Sequence, residues 1–145
     1  MFRVLSKGIK ISVCFAPSMS SKTFATIINC MDGRTQDPVN VWAKEHLAVE
    51  YVDVITEPGP DGILAQEDHE LCASIQNRVD ISIHKHGSRH IIVVSHDDCA
   101  GNPVSKDQHL SDLEKAIDTV KSWEYPAQII GVWVDSEWVV HKIIS

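Results

Sequence analysis

The stretch His90-Ile91-Ile92-Val93-Val94-Ser95 runs directly into His96-Asp97-Asp98-Cys99. Its consecutive β-branched residues favour an extended chain. They are apolar at successive rather than alternate positions, which marks a strand covered on both faces, as in a parallel sheet flanked by helices. A second run of the same kind, Thr23-Phe24-Ala25-Thr26-Ile27-Ile28-Asn29, ends in Cys30-Met31-Asp32-Gly33-Arg34. Each buried strand therefore delivers a short motif rich in metal-ligating side chains.

Working outward, Tyr51-Val52-Asp53-Val54-Ile55-Thr56 and residues 128–135 read as further strands, and residues 138–144 as a last one. Asp37-Pro38 predicts a helix start, with Asp as cap and Pro at the first helical position, over residues 37–49 and burying Val39, Trp42 and Leu47. Glu57-Pro58-Gly59-Pro60-Asp61-Gly62 has the composition of a stiff loop. A long helix is expected over residues 63–86, with Cys72, Ile75, Val79 and Ile83 on its apolar stripe and Gly87 as its stop. Ser105-Lys106-Asp107-Gln108 resembles a capping box, and Leu110, Leu113, Ile117 and Val120 follow on one stripe. The link Asp135-Ser136-Glu137 is short enough for a hairpin.

The resulting order, β-α-β-α-β-α-β-β, predicts an α/β fold: a three-layer open sheet, mostly parallel, with strand order 2-1-3-4 and an antiparallel edge strand 5. In that order the winding reverses between strands 1 and 3. Open α/β sheets bind ligands at such a switch point, beyond the carboxyl ends of the strands. Topology alone thus brings Cys30, His96 and Cys99 to one place.

The 145 residues suit one domain, and their balance of 13 Lys+Arg against 20 Asp+Glu gives a net charge of −7. An acidic chain without a basic stripe argues against nucleic-acid binding. No apolar run is long enough to span a membrane. The four cysteines, Cys14, Cys30, Cys72 and Cys99, are irregularly spaced, which points to free or metal-bound thiols in a reducing, cytoplasmic setting. Residues 1–22 are expected to form an arm and residues 23–145 the folded domain. The first eighteen carry Arg3, Lys7 and Lys10 and no acid, and fit a flexible arm or an upstream start before Met19 better than a targeting peptide.

Cys30, His96 and Cys99 form a two-thiol, one-imidazole set, and three protein ligands around zinc leave a fourth position open, the catalytic arrangement. A water there becomes acidic near neutral pH. Asp32 could accept a hydrogen bond from that water while Arg34 holds its carboxylate bidentately, or Asp32 could itself become the fourth ligand and close the site. Cys72 reads as core. His46, His69, His84, His86, His109 and His141 show no convincing ligand spacing and read as surface residues. Trp133 and Trp138 flank the last turn and are expected to pack together across the hairpin or at a subunit contact.

The pair of motifs, Cys30-x-Asp32-x-Arg34 and His96-x-x-Cys99, resembles the β-class carbonic anhydrases over most of the chain. The resemblance implies zinc held by Cys30, His96 and Cys99, with Asp32 and Arg34 as the dyad beside it. It implies reversible hydration of carbon dioxide to bicarbonate by zinc-bound hydroxide, in a homodimer or higher homo-oligomer. Two features depart from the family: Thr56–Gly62 replaces an Arg-Asn-Ala-Gly-like stretch, and Ala100 precedes Gly101 where Gly commonly follows the Cys. Glu57 or Asp61 near the metal would favour a more polar substrate. The competing readings are a related zinc hydrolase, a non-catalytic zinc protein closed by Asp32, and a metal-free Cys–His hydrolase.

Overall fold

The structure is a computed structural model that describes residues 22–145. The expected N-terminal arm, residues 1–22, and Cys14 within it fall outside the described residues, apart from Lys22. The elements are β1 (Phe24–Cys30), α1 (Gly33–Leu47), β2 (Tyr51–Glu57), α2 (Pro60–Ala65), α3 (His69–His86), β3 (His90–His96), α4 (Lys106–Lys121), β4 (Gln128–Val134) and β5 (Val140–Ile144).

The strands form one sheet in the order β2-β1-β3-β4-β5, parallel except for the antiparallel β4–β5 hairpin. This is the expected topology. The alternation of side chains along β1, β3 and β4 builds two cores. Ile27, Ile92, Val94, Ile130, Val132 and Val134 face α1 and its Val39, Trp42 and Ala43. Ile28, Ile91, Val93 and Ile129 face the other way, against Leu64 of α2, Ile75, Val79 and Ile83 of α3, and Leu113, Ile117 and Val120 of α4. Two buried faces on the same strands explain why these runs carry no polar alternation.

The parallel ladders differ in length. β1 pairs with β2 from Phe24↔Tyr51 to Cys30↔Glu57, and β3 with β4 from His90↔Gln128 to His96↔Val134. β1 and β3 pair only from Thr26↔Ile91 to Ile28↔Val93. The two central strands therefore part before their carboxyl ends, and the crevice between them receives Cys30 and His96.

Three expectations about the helices are corrected. First, α1 begins at Gly33, well before Asp37-Pro38, because Asp32 caps it by accepting the Arg34 N–H at 3.0 Å. Pro38 then lies inside the helix, and the N–H it lacks would have met the carbonyl of Arg34, an exposed residue. Leu47 is only partly buried. Second, the single helix expected over residues 63–86 is two, because Glu67 takes a left-handed φ of 54° and Asp68 caps a new helix by accepting the Leu71 N–H at 3.0 Å. Third, Pro60, Asp61 and Gly62 belong to α2, not to a loop.

In α4, Ser105 caps Gln108 N–H as expected, but the Gln108 side chain goes to Asp112 instead of closing the box. Trp133 and Trp138 do not meet. Trp133 is buried beside His109 of α4, whereas Trp138 packs on the α1 side of the sheet. Among the described residues no helix is long and apolar enough to cross a membrane.

Ile92 is fully buried at the centre of β3. Replacing it in Ile92→Ala should cost about 2–5 kcal/mol of folding free energy, measured by urea denaturation.

Candidate metal centre

β1 ends on Cys30 and β3 ends on His96, and three residues later the chain turns back to place Cys99. The turn runs through Asp98, whose φ of 54° is one that Asp tolerates better than most residues. Asp97 N–H is tied to the Val134 carbonyl at 2.9 Å. The Cys30 and Cys99 sulfurs stand 3.9 Å apart, and the ligand atoms of Cys30, His96 and Cys99 all lie within 4.8 Å of one another. All three residues are buried, at 3%, 1% and 3% exposure in that sequence order. Among the described residues these are the group brought to ligand spacing, and they are the three expected from sequence.

The spacing fits zinc. Two sulfurs bound at about 2.3 Å in a tetrahedron stand about 3.8 Å apart. His96 Nδ1–H donates to the Asp97 carbonyl at 2.7 Å, which leaves Nε2 as the lone-pair nitrogen. That Nε2 is buried and has no hydrogen-bond partner. An orphaned imidazole nitrogen beside two buried thiols is a cost that a metal ion would remove.

Backbone N–H groups already favour thiolate in this pocket. The Cys30 thiol is lowered to about 4, first by its hydrogen bond with Cys99, against burial, with help from His96 and from the N–H groups of Gly59 and Asp32. Cys99 is pushed up by the same contact with Cys30 and by burial, while the N–H groups of Asn102 and Gly101 pull it down. The contact thus favours thiolate on Cys30 and thiol on Cys99. Burial lowers His96, but the Cys30 thiolate and the Asp97 carbonyl outweigh it and the net shift is upward.

Asp32 and Arg34 form the clamp expected from their spacing. Arg34 Nε donates to Asp32 Oδ1 at 3.0 Å and Nη2 donates to Oδ2 at 2.7 Å. This contact holds the Asp32 carboxyl down at about 2. Asp32 is not part of the ligand group; both of its oxygens face the guanidinium. Arg34 is fixed in turn by Asp98, whose Oδ2 accepts from Nη1 at 3.2 Å, and by the Trp138 ring, 4.4 Å from the guanidinium carbon. Sequence reading missed both supports. The nearest signal was Asp98 itself, an acid inside the His96–Cys99 motif that the strand order brings beside Arg34.

The loop after β2 approaches the site through its backbone. A Cβ on Gly101 would lie 2.3 Å from the Pro58 carbonyl carbon, and one on Gly59, whose φ is +64°, would lie 2.7 Å from Gly101. Gly62 leaves room for the Asn102 side chain. The glycine one residue late, after Ala100, is thus where two loops cross against bare backbone. Neither acid flanking this turn, Glu57 at the end of β2 or Asp61 in α2, is free to face the candidate metal site. Glu57 pairs with Arg78, and Asp61 is buried against Ser95 and His109. His109, expected on the surface, is 1% exposed. His46, by contrast, lies on α1 with its ring stacked on Trp42, and Cys72 is partly buried beside the core of α3.

The fold and site define an open, mostly parallel α/β sheet with a buried Cys-His-Cys group, able to hold a metal ion, at its switch point. The family model described as "Putative carbonic anhydrase" matches residues 20–144. The chain belongs to this carbonic anhydrase family. No curated protein matches it. Among solved structures, a tetrameric β-carbonic anhydrase of the ascomycete Sordaria macrospora superposes with a TM-score of 0.53 at 12% identity, over 85% of this chain and 81% of that one. A β-carbonic anhydrase of the fungal pathogen Aspergillus fumigatus aligns at 16% identity with a TM-score of 0.45, over 85% of this chain and 76% of that one. At such identities the first likeness speaks for the fold alone.

The crossing of the loops gives a direct test. Gly101→Ala should lose at least about 2 kcal/mol in urea denaturation. Gly33→Ala, where an added Cβ meets nothing within 4 Å, should be neutral or gain up to about 1 kcal/mol.

Proposed function

We propose that the chain binds one zinc ion through Cys30, His96 and Cys99 and reversibly hydrates carbon dioxide to bicarbonate. The observation that carries this reading is a buried three-donor group beside an Asp32–Arg34 clamp whose carboxylate stays outside the group. When bound, zinc supplies the Lewis acidity that makes water nucleophilic near neutral pH.

The chain's own residues do the rest. Asp32, held well below the usual carboxylate range by Arg34, is ionised throughout the neutral range and can only accept hydrogen bonds. It takes the O–H of the reacting water and so aims an oxygen lone pair at the carbon of carbon dioxide. Arg34 prevents Asp32 from turning toward the metal. Cys30 and Cys99 bring two negative charges, which weaken the acidifying effect relative to three neutral imidazoles. The N–H groups of Gly59, Asp32, Gly101 and Asn102 draw charge off the sulfurs and offset part of that loss. The reaction adds water to carbon dioxide and releases bicarbonate and a proton. Asp32 is too acidic to keep that proton, so it passes to solvent.

The engagement of Glu57 and Asp61 elsewhere favours carbon dioxide over a more polar substrate. The Arg34 clamp on Asp32 favours a catalytic site over one closed by Asp32. A reducing, cytoplasmic setting accords with the free thiols Cys30, Cys72 and Cys99. A homodimer or higher homo-oligomer accords with the tetrameric structural neighbour and with exposed apolar side chains such as Met31, Val41 and Val139.

The purified protein should bind about one zinc per chain, with affinity that rises with pH. The sign follows from Cys99: its raised pKa keeps a proton that zinc must displace, so acid opposes binding. The zinc-loaded protein should hydrate carbon dioxide in stopped-flow assays between about pH 6 and 9, and Asp32→Asn should slow it about 100-fold. Full zinc loading with no hydration at any pH would overturn the reading.

A further inference from the structure

Asp61, Ser95 and His109 form a second buried polar cluster, each 1% exposed. His109 Nδ1–H donates to Asp61 Oδ2 at 2.6 Å, and Ser95 Oγ–H donates to the same oxygen at 2.6 Å. Ser95 Oγ also lies 3.2 Å from His109 Nδ1. Net stability does not account for such a cluster. Buried ionic pairs are commonly replaceable by apolar side chains of similar volume at no loss. Here two further buried atoms, His109 Nε2 and Trp133 Nε1, have no partner, and their rings stand 5.5 Å apart.

Placement accounts for it better. Asp61 follows Gly59 by two residues, and the Gly59 backbone crosses against Gly101 so closely that an added Cβ would stand 2.7 Å from it. Ser95 immediately precedes His96 on β3. His109 lies in the first turns of α4, the helix that also carries Asp112. Asp112 Oδ2 accepts from Asn102 Nδ2 at 3.0 Å, and Asn102 closes the loop that Cys99 opens. One carboxylate oxygen of Asp61 therefore ties α2, β3 and α4 together, and Asp112 of α4 carries the link on to the Asn102 loop.

We propose that Asp61, Ser95 and His109 are positioning residues for the metal centre: a hydrogen-bonded knot that holds the Gly59 turn, His96 and the Cys99–Asn102 loop at ligand spacing before a metal arrives. The inference rests on the zinc-binding reading above and extends it to residues that touch neither metal nor substrate. Loosening the knot leaves all three ligands in the chain but makes the metal pay for ordering them.

The test uses the full chain as wild type, Asp61→Asn, Ser95→Ala and Val120→Ala. Val120 is fully buried near the far end of α4 and serves as a control for stability loss alone. Three quantities are measured: zinc affinity by chelator competition, the visible absorption of the cobalt-substituted protein, and urea stability. Asp61→Asn should bind zinc about 10–100-fold more weakly and shift or weaken the cobalt bands, with Ser95→Ala changed in the same direction and by less. Val120→Ala should lose stability while keeping its affinity within about twofold and its cobalt spectrum intact. The inference is overturned if both cluster variants bind as wild type does. It is equally overturned if Val120→Ala loses affinity in the same proportion to its stability. If Asp61→Asn does not fold, Ser95→Ala decides on the same criteria. Wild type that takes up neither zinc nor cobalt would instead overturn the metal reading itself, an outcome distinct from the others.

Discussion

The candidate metal centre depends on where one ladder stops. β1 and β3 are hydrogen-bonded neighbours only as far as Ile28↔Val93, although each keeps its other parallel partner for its full length. Extending the same register would set Cys30 beside Ser95 and bring the two chains into contact along their carboxyl ends. Because they part instead, two thiols and an imidazole share a small buried space. The reversal of winding at this point removes any crossover from above the crevice, which is why open sheets bind ligands there. The apolar strands, buried on both faces, give the parting ends a rigid base.

Electrostatics then suits the crevice to the cation proposed for it. Thiolates are costly to bury, and the cost here is met by backbone N–H groups from three separate turns and by a hydrogen bond between the sulfurs themselves. Beside them, Arg34 is held by two acids, Asp32 and Asp98, and by the face of Trp138. This keeps the nearest free carboxylate engaged outside the ligand group. The glycines where the Pro58–Gly59 turn meets Gly101 serve the same end: a side chain at either would push apart the backbone that approaches the sulfurs.

Much of this was legible in the chain because it rests on local rules. Ile91 to Val94 and Ile27–Ile28 announced strands buried on both faces, and strand order followed from the alternation of elements. The candidate ligand group was legible because Cys30 and His96 end strands and Cys99 follows three residues after β3. What was not legible depended on tertiary partners. Asp32 outcompetes Asp37 as a helix cap because Arg34 anchors it twice. Glu67 breaks the long helix through a backbone angle that no apolar stripe reveals. His109 looked like a surface residue because its partners, Asp61 and Ser95, lie 48 and 14 residues away. Trp133 and Trp138 flank one turn yet fall on opposite faces of the sheet.

The central claim is that this crevice holds zinc by two thiolates and one imidazole with a fourth, light-atom position. X-ray absorption at the zinc edge of the metal-loaded protein reads that coordination directly. The account predicts two sulfur neighbours at about 2.3 Å and two nitrogen or oxygen neighbours at about 2.0–2.1 Å. A shell without sulfur, or one with a single sulfur, would contradict it.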